Sequence, residues 1–133
     1  MRILIVDDDP ATRLCLAKVL EPSGQTDTAA DGCQAIERFA LALAQGQPYS
    51  LVCMDINMPK VDGQEALRRI RELEAEQGVA PGRECKVVMT SAMTDAGNVT
   101  KAYFQGRADG FVKKPLRLDE LKGALRTLGV PLG

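Results

Sequence analysis

Histidine is absent from all 133 residues, and its absence removes whole classes of chemistry. Ser-His-Asp and Cys-His catalysis, imidazole ligation of a metal and a phosphohistidine of the chain's own are excluded. An excess of one charge is missing as well: 17 Lys and Arg stand against 18 Asp and Glu, a formal net charge of −1. With a sequence pI of about 5.5, this balance argues against an extended basic footprint for nucleic acid. Close cysteine pairs are lacking too. Cys15, Cys33, Cys53 and Cys85 show none of the CxxC spacing of zinc and redox sites and read as reduced core thiols. No apolar stretch approaches bilayer length, and Ile3 to Val6 is too short for a signal peptide. A cytoplasmic protein without a membrane partner is expected, so the sequon Asn98-Val99-Thr100 is a chance match on a predicted helix.

What is present is enough apolar material, 45%, to build the core of one domain. Short aliphatic runs alternate with amphipathic stretches, the pattern of βα units on a parallel sheet. Strands are predicted at Ile3 to Val6, Thr26 to Ala30, Leu51 to Met54, Lys86 to Thr90 and Gly110 to Val112. The first, third and fourth are nearly continuous hydrophobic runs, as expected of strands covered on both faces, whereas the polar Thr26 to Ala30 reads as an edge. Five helices are predicted. Three carry clear stripes: Cys15, Leu16, Val19 and Leu20; Ala66, Leu67, Ile70 and Leu73; Leu118, Leu121, Leu125 and Leu128. Asp9-Pro10 is a helix N-cap with proline at the first helical position, Glu21 to Gly24 ends the first helix, and Gln77 to Glu84 is a loop. The run Arg68 to Glu76 is predicted to be a solvated helix face with i,i+4 pairs. No interdomain linker interrupts residues 1–133, so a single domain with no attached output domain is expected.

The polar residues that interrupt this pattern share one location. Asp7 and Asp8 end the first strand, Asp55 the third and Ser91 the fourth, and Lys114 follows the fifth. In an open parallel sheet these positions line one edge, where ligands bind outside the carboxyl ends of the strands. Three neighbouring carboxylates repel one another unless a cation neutralises them. Oxygen ligands alone suit a hard divalent ion, and Mg2+ fits best. Lys114 and Ser91 could hold two oxygens of a phosphoryl group, and Asp55 is the expected nucleophile, since an aspartate can form an acyl phosphate.

Ile3 to Pro10, Met54-Asp55-Ile56-Asn57-Met58-Pro59 with Asp62-Gly63, Thr90-Ser91-Ala92 and Lys114-Pro115 occur in the order and spacing that resemble the receiver domain of two-component response regulators, of the chemotaxis-type single-domain kind. The resemblance implies a flavodoxin-like (βα)5 fold, a doubly wound five-stranded parallel α/β sheet with strand order 2-1-3-4-5. It further implies that Asp55 is the phosphoacceptor. Asp8 and the Asn57 backbone carbonyl would complete the Mg2+ site, with Asp7 acting through water. Lys114 would contact the phosphoryl group, Ser91 would be the switch hydroxyl and Phe111 the switch aromatic, and Lys114-Pro115 would be a cis peptide. Among three consecutive acids, Asp7 and Asp8 are preferred because they directly follow the strand. Arg107 stands where the family usually has glycine, Met93 is apolar at a position that modulates dephosphorylation, and the loop before the fourth strand is long.

By this reading a partner phosphohistidine, on a sensor histidine kinase or a histidine phosphotransfer protein, donates the phosphoryl group. Ser91 is then drawn inward and Phe111 follows, changing the surface of the fourth helix, fifth strand and fifth helix by a coupling of about 1 to 3 kcal/mol. Tyr103 and Phe104 are the aromatics best placed to sense it. A downstream protein would read that surface, with the chain a monomer or a weak phosphorylation-dependent dimer. Competing readings are a receiver fragment of a larger hybrid kinase or multidomain regulator, an aspartate-dependent phosphohydrolase and an unphosphorylated interaction module. The hydrolase requires an acid two residues after the nucleophile, and Asn57 occupies that position.

Overall fold

The computed structural model describes residues 1–58, 60–91 and 108–132. Its strands are β1 (Arg2–Val6), β2 (Gln25–Ala29), β3 (Leu51–Asp55), β4 (Lys86–Ser91) and β5 (Gly110–Lys113). They form one parallel sheet in the order β2-β1-β3-β4-β5. The described helices are α1 (Pro10–Leu20), α2 (Gly32–Ala44), α3 (Gly63–Glu76) and the C-terminal helix α4 (Leu118–Thr127). The predicted fourth helix, with Tyr103 and Phe104, falls outside the described residues, as do Met93, Arg107 and the sequon.

Strand alternation sorts the hydrophobic runs onto two faces. Leu4, Val6, Val52, Met54, Val87 and Met89 pack with Phe39 of α2 and Leu67 and Ile70 of α3. Ile3, Ile5, Leu51, Cys53 and Val88 pack with Leu16 and Leu20 of α1 and Leu121 and Leu125 of α4. Both faces of β1, β3 and β4 are therefore covered, and each fully buried aliphatic side chain contributes about 1.5 to 3 kcal/mol. The polar β2 is an edge strand, as its composition predicts.

The helix starts follow local chemistry. Asp9, Asp31 and Asp62 each accept a hydrogen bond from a backbone N–H of the first turn of α1, α2 and α3. Glu21–Ser23 forms a short 3-10 turn that ends α1, and residues 77–85 connect α3 to β4 with Gly78 and Gly82 at positive φ. Lys114-Pro115 is cis.

Three expectations are corrected. Cys53 and Cys85 are buried, but Cys15 is exposed and Cys33 half-buried, so only two of the four free thiols belong to the core. Cys15 lies off the side of α1 that packs on the sheet, where Leu16 and Leu20 do the packing. In α4 the first residue of the predicted stripe, Leu118, is 53% exposed, because the helix meets the sheet through Leu121 and Leu125. The third correction concerns Arg68 to Glu76. Arg68, Arg69, Glu72 and Glu76 form the predicted solvated ion pairs. Arg71 and Glu74 instead face inward, 7% and 2% exposed. Arg71 donates to Glu74 at 2.8 Å, to the Cys85 carbonyl at 2.9 Å and to Asp109 at 3.1 Å. Glu74 in turn accepts from the Cys85 N–H at 2.7 Å, and Asp109 from the Val87 N–H at 2.9 Å. This network ties α3 to the start of β4 and to the residue that precedes β5.

Candidate functional site

The parallel sheet delivers its polar strand ends to one edge. Asp7 follows β1, Asp55 is the last residue of β3, Ser91 the last of β4, and Lys114 follows β5. Asp55 pairs in register with Thr90, and Lys114 N–H donates to the Ser91 carbonyl at 2.7 Å, so β3, β4 and the end of β5 are held level. Asp7, Asp55 and Ser91 are 0%, 4% and 1% exposed, whereas Asp8 faces solvent.

Lys114 is the centre of the arrangement. Its Nζ donates to Asp7 Oδ2 at 2.8 Å and to Asp55 Oδ2 at 3.1 Å. The other oxygens are engaged by backbone: Asp7 Oδ1 accepts from the Asp9 N–H at 2.9 Å and Asp55 Oδ1 from the Asn57 N–H at 3.1 Å. Arg13 of α1 donates to the Asp7 carbonyl at 2.7 Å, a contact that periodicity does not signal, because it depends on how α1 crosses the end of β1. The Asn57 side-chain amide donates to Ser91 Oγ at 3.1 Å.

The electrostatics follow from burial. Desolvation raises the Asp55 carboxyl above the ordinary carboxylate range, and Asp7 acts in the same direction. Lys114 and the Asn57 N–H oppose that rise without cancelling it. Burial is also the largest influence on Lys114 and works against its charge, but the hydrogen bond to Asp7 and the charge of Asp55 outweigh it, leaving the ammonium above its ordinary value. One lysine thus bonds two buried carboxylates, and the exposed Asp8 adds a third acid beside them.

That imbalance bears on a metal. Asp7, Asp8 and Asp55 each place a carboxylate oxygen within 4.8 Å of the others. The donor set is all oxygen, two of the residues are buried and one opens to solvent, which fits a hard ion that keeps part of its water shell. Asp9 is engaged elsewhere. Its carboxylate accepts from the Ala11 N–H and from Thr12 Oγ1.

Gly63, at the first position of α3, is part of the site's frame. A Cβ there would lie 2.2 Å from the Asp55 carbonyl oxygen, and Gly63 N–H donates to the Ile56 carbonyl at 2.8 Å. The sequence Asp62-Gly63 therefore caps a helix and lets it approach the end of β3 in two consecutive residues. Phe111 of β5 is half-buried and packs against the core that contains Met54, Met58 and Met89. Two clefts, of about 340 and 260 Å3, meet at Lys114 and Pro115; the first is lined by Lys113, Arg117 and Glu120, the second by Ala11, Thr12, Cys15 and Leu116.

The family model for the response regulator receiver domain matches residues 3–126. This chain belongs to the response regulator receiver family. It is 36% identical over 131 residues to the transcriptional regulatory protein TcrA of Mycobacterium tuberculosis, covering 96% of this chain and 46% of TcrA. To the chemotaxis protein CheY of Bacillus subtilis it is 33% identical over 126 residues, covering 93% of both. Among solved structures, the receiver domain of the histidine kinase CKI1 from Arabidopsis thaliana, complexed with Mg2+ and BeF3−, matches with a TM-score of 0.81 and 26% identity, over 98% of this chain and 90% of that one. The chain thus spans nearly all of CheY but about half of TcrA. The strand order is that of the receiver fold, and the acidic cluster lies where receivers bind Mg2+. No helix among the described residues is long and apolar enough to cross a membrane.

Proposed function

We propose that this receiver is a phosphorylation switch in which Asp55 accepts a phosphoryl group from a phosphohistidine on a sensor histidine kinase or a histidine phosphotransfer protein. The observation that carries the reading is Lys114 Nζ bridging Asp7 and Asp55 at 2.8 and 3.1 Å beside the exposed Asp8. In the transfer the P–N bond of the donor imidazole breaks and a P–O bond to an Asp55 carboxylate oxygen forms; the imidazole leaves neutral after taking a proton. Asp7, Asp8, Asp55 and the Asn57 carbonyl would hold Mg2+, which when bound offsets the charge of the incoming phosphoryl oxygens. Lys114 supplies a fixed positive charge beside Asp55, and its hydrogen bond to buried Asp7 keeps the ammonium in place when Asp55 is modified. Ser91 donates its hydroxyl to a phosphoryl oxygen, and Phe111 occupies the space this releases. The surface around β5 and the helices flanking it then presents a different face to a downstream protein in the cytoplasm, with at most weak dimerisation.

Intact-mass measurement with Mg2+ and acetyl phosphate tests this. One added phosphoryl group is expected on the wild-type chain and none on Asp55→Asn; an unmodified wild type, or labelling that persists in the variant, overturns the proposal. Continuous turnover of a phosphomonoester would favour a hydrolase instead. The 46% coverage of TcrA favours a second context, the same switch serving as the receiver of a longer regulator, with identical site chemistry.

A further inference from the structure

Asn57 touches both the phosphoacceptor and the switch hydroxyl. Its backbone N–H donates to Asp55 Oδ1 and its side-chain Nδ2 to Ser91 Oγ, both at 3.1 Å. These partners lie on neighbouring strands, 36 residues apart in sequence, and Asn57 is itself exposed whereas Ser91 is buried. A buried hydroxyl next to a nucleophile is therefore oriented by a surface residue anchored to that nucleophile.

A serine hydroxyl has one hydrogen and two lone pairs. With the Asn57 amide directed at Oγ, the oxygen is the acceptor in that contact, and its own hydrogen must point away from Asn57. A hydroxyl presented in this sense is a donor toward other groups. We propose that Asn57 is a positioning residue: its amide holds Ser91 in the polarity needed to donate to a phosphoryl oxygen, and its backbone N–H fixes the carboxylate that carries the phosphoryl group. The inference rests on the proposed roles of Asp55 and Ser91. It gives the Asn57 side chain a function separate from its backbone carbonyl, and the carbonyl survives any side-chain substitution. Fixing the hydroxyl in advance removes a rotor that would otherwise be ordered during transfer.

A double-mutant cycle tests it. The initial rate of phosphoryl incorporation from acetyl phosphate is followed by intact mass at saturating Mg2+ for the wild type, Asn57→Ala, Ser91→Ala and the double variant. Each single change is expected to slow incorporation about fivefold, the weight of one hydrogen bond. The double variant is expected to lie within about twofold of Ser91→Ala, because an amide that acts through Ser91 has nothing left to orient. Multiplying losses, or an Asn57→Ala rate equal to wild type, overturns the positioning role while leaving the phosphorylation switch standing. An unlabelled wild-type chain, or Ser91→Ala labelling at the wild-type rate, overturns the reading beneath it and the positioning role together. Asn57 is exposed, so its truncation leaves the core intact, and cooperative melting of each variant confirms that the rates compare folded proteins.

Discussion

Replacing Arg71 by methionine should be one of the most damaging single changes on α3, although Arg71 lies among arginines that cost almost nothing to remove. Arg71 compensates Glu74, whose side chain is 3% exposed, and Asp109, whose side chain is 29% exposed. With the guanidinium gone, the Glu74 carboxylate stays buried with the Cys85 N–H as its remaining described donor. Breaking a buried pair from one side costs about 3 to 5 kcal/mol. Asp109 retains the Val87 N–H and partial access to water, so it adds little. For a chain of this length, a loss of about 3 kcal/mol lowers the melting temperature by roughly 10 to 15 °C. Arg68→Met is the control. Arg68 pairs with Glu65 and Glu72, but its side chain is 58% exposed, and water and salt screen such pairs so that their loss is barely felt. Urea denaturation of the two variants beside the wild type decides the matter. A third protein, Arg71→Met with Glu74→Leu, should recover at least half of the loss, since it removes the stranded charge. If Arg71→Met and Arg68→Met are equally mild, or if the double variant is worse than Arg71→Met, the buried-charge account is wrong.

Lys114→Met should raise the Asp55 carboxyl further, because burial and Asp7 already push it up and Lys114 opposes them; a carbon-detected NMR titration that shows no rise would contradict this. The same variant should label with acetyl phosphate at least about tenfold more slowly than wild type. Gly63→Ala should destabilise by more than about 2 kcal/mol, since its Cβ meets the backbone of Asp55, whereas Gly123→Ala on α4, with nothing within 4 Å, should stabilise by about 0.5 to 1 kcal/mol in thermal melts. Burial pushes the Cys53 thiol up to about 12 from 9.0, so the folded chain keeps a proton that the unfolded chain releases. Stability from this group is fully present below about pH 9 and declines above it by about 1.4 kcal/mol per pH unit. Cys53→Ala should flatten that alkaline slope in urea titrations, and an unchanged slope would show that Cys53 does not contribute.

The legible parts of this protein are those in which local rules and tertiary packing ask for the same residues. Ile3 to Val6 and Leu51 to Met54 announce strands covered on both faces because every residue there is apolar, and the structure sends alternate side chains to two cores. Asp9, followed by Pro10, announces a helix start because capping is local hydrogen bonding. The site was legible for a related reason. Polar residues that end hydrophobic strands have no packing role to fill, and a parallel sheet brings such ends together whatever lies between them.

Asp7, Asp55, Ser91 and Lys114 were therefore readable as a set from the amino-acid sequence, along with the sheet, its polar edge strand and the expectation of a hard cation. Tertiary structure alone decided which member of a charged run faces inward. Arg68 and Arg71 have the same chemistry and sit three residues apart on one helix, yet one is solvated and the other closes a network with Glu74, Cys85 and Asp109. It also decided that Asn57, two residues beyond β3, would reach across to Ser91, and that Cys15 would face solvent while Cys53 is buried. Such outcomes depend on how a helix is rotated against the sheet and on which strands are neighbours. Those are long-range properties, and periodicity within one segment carries no information about them.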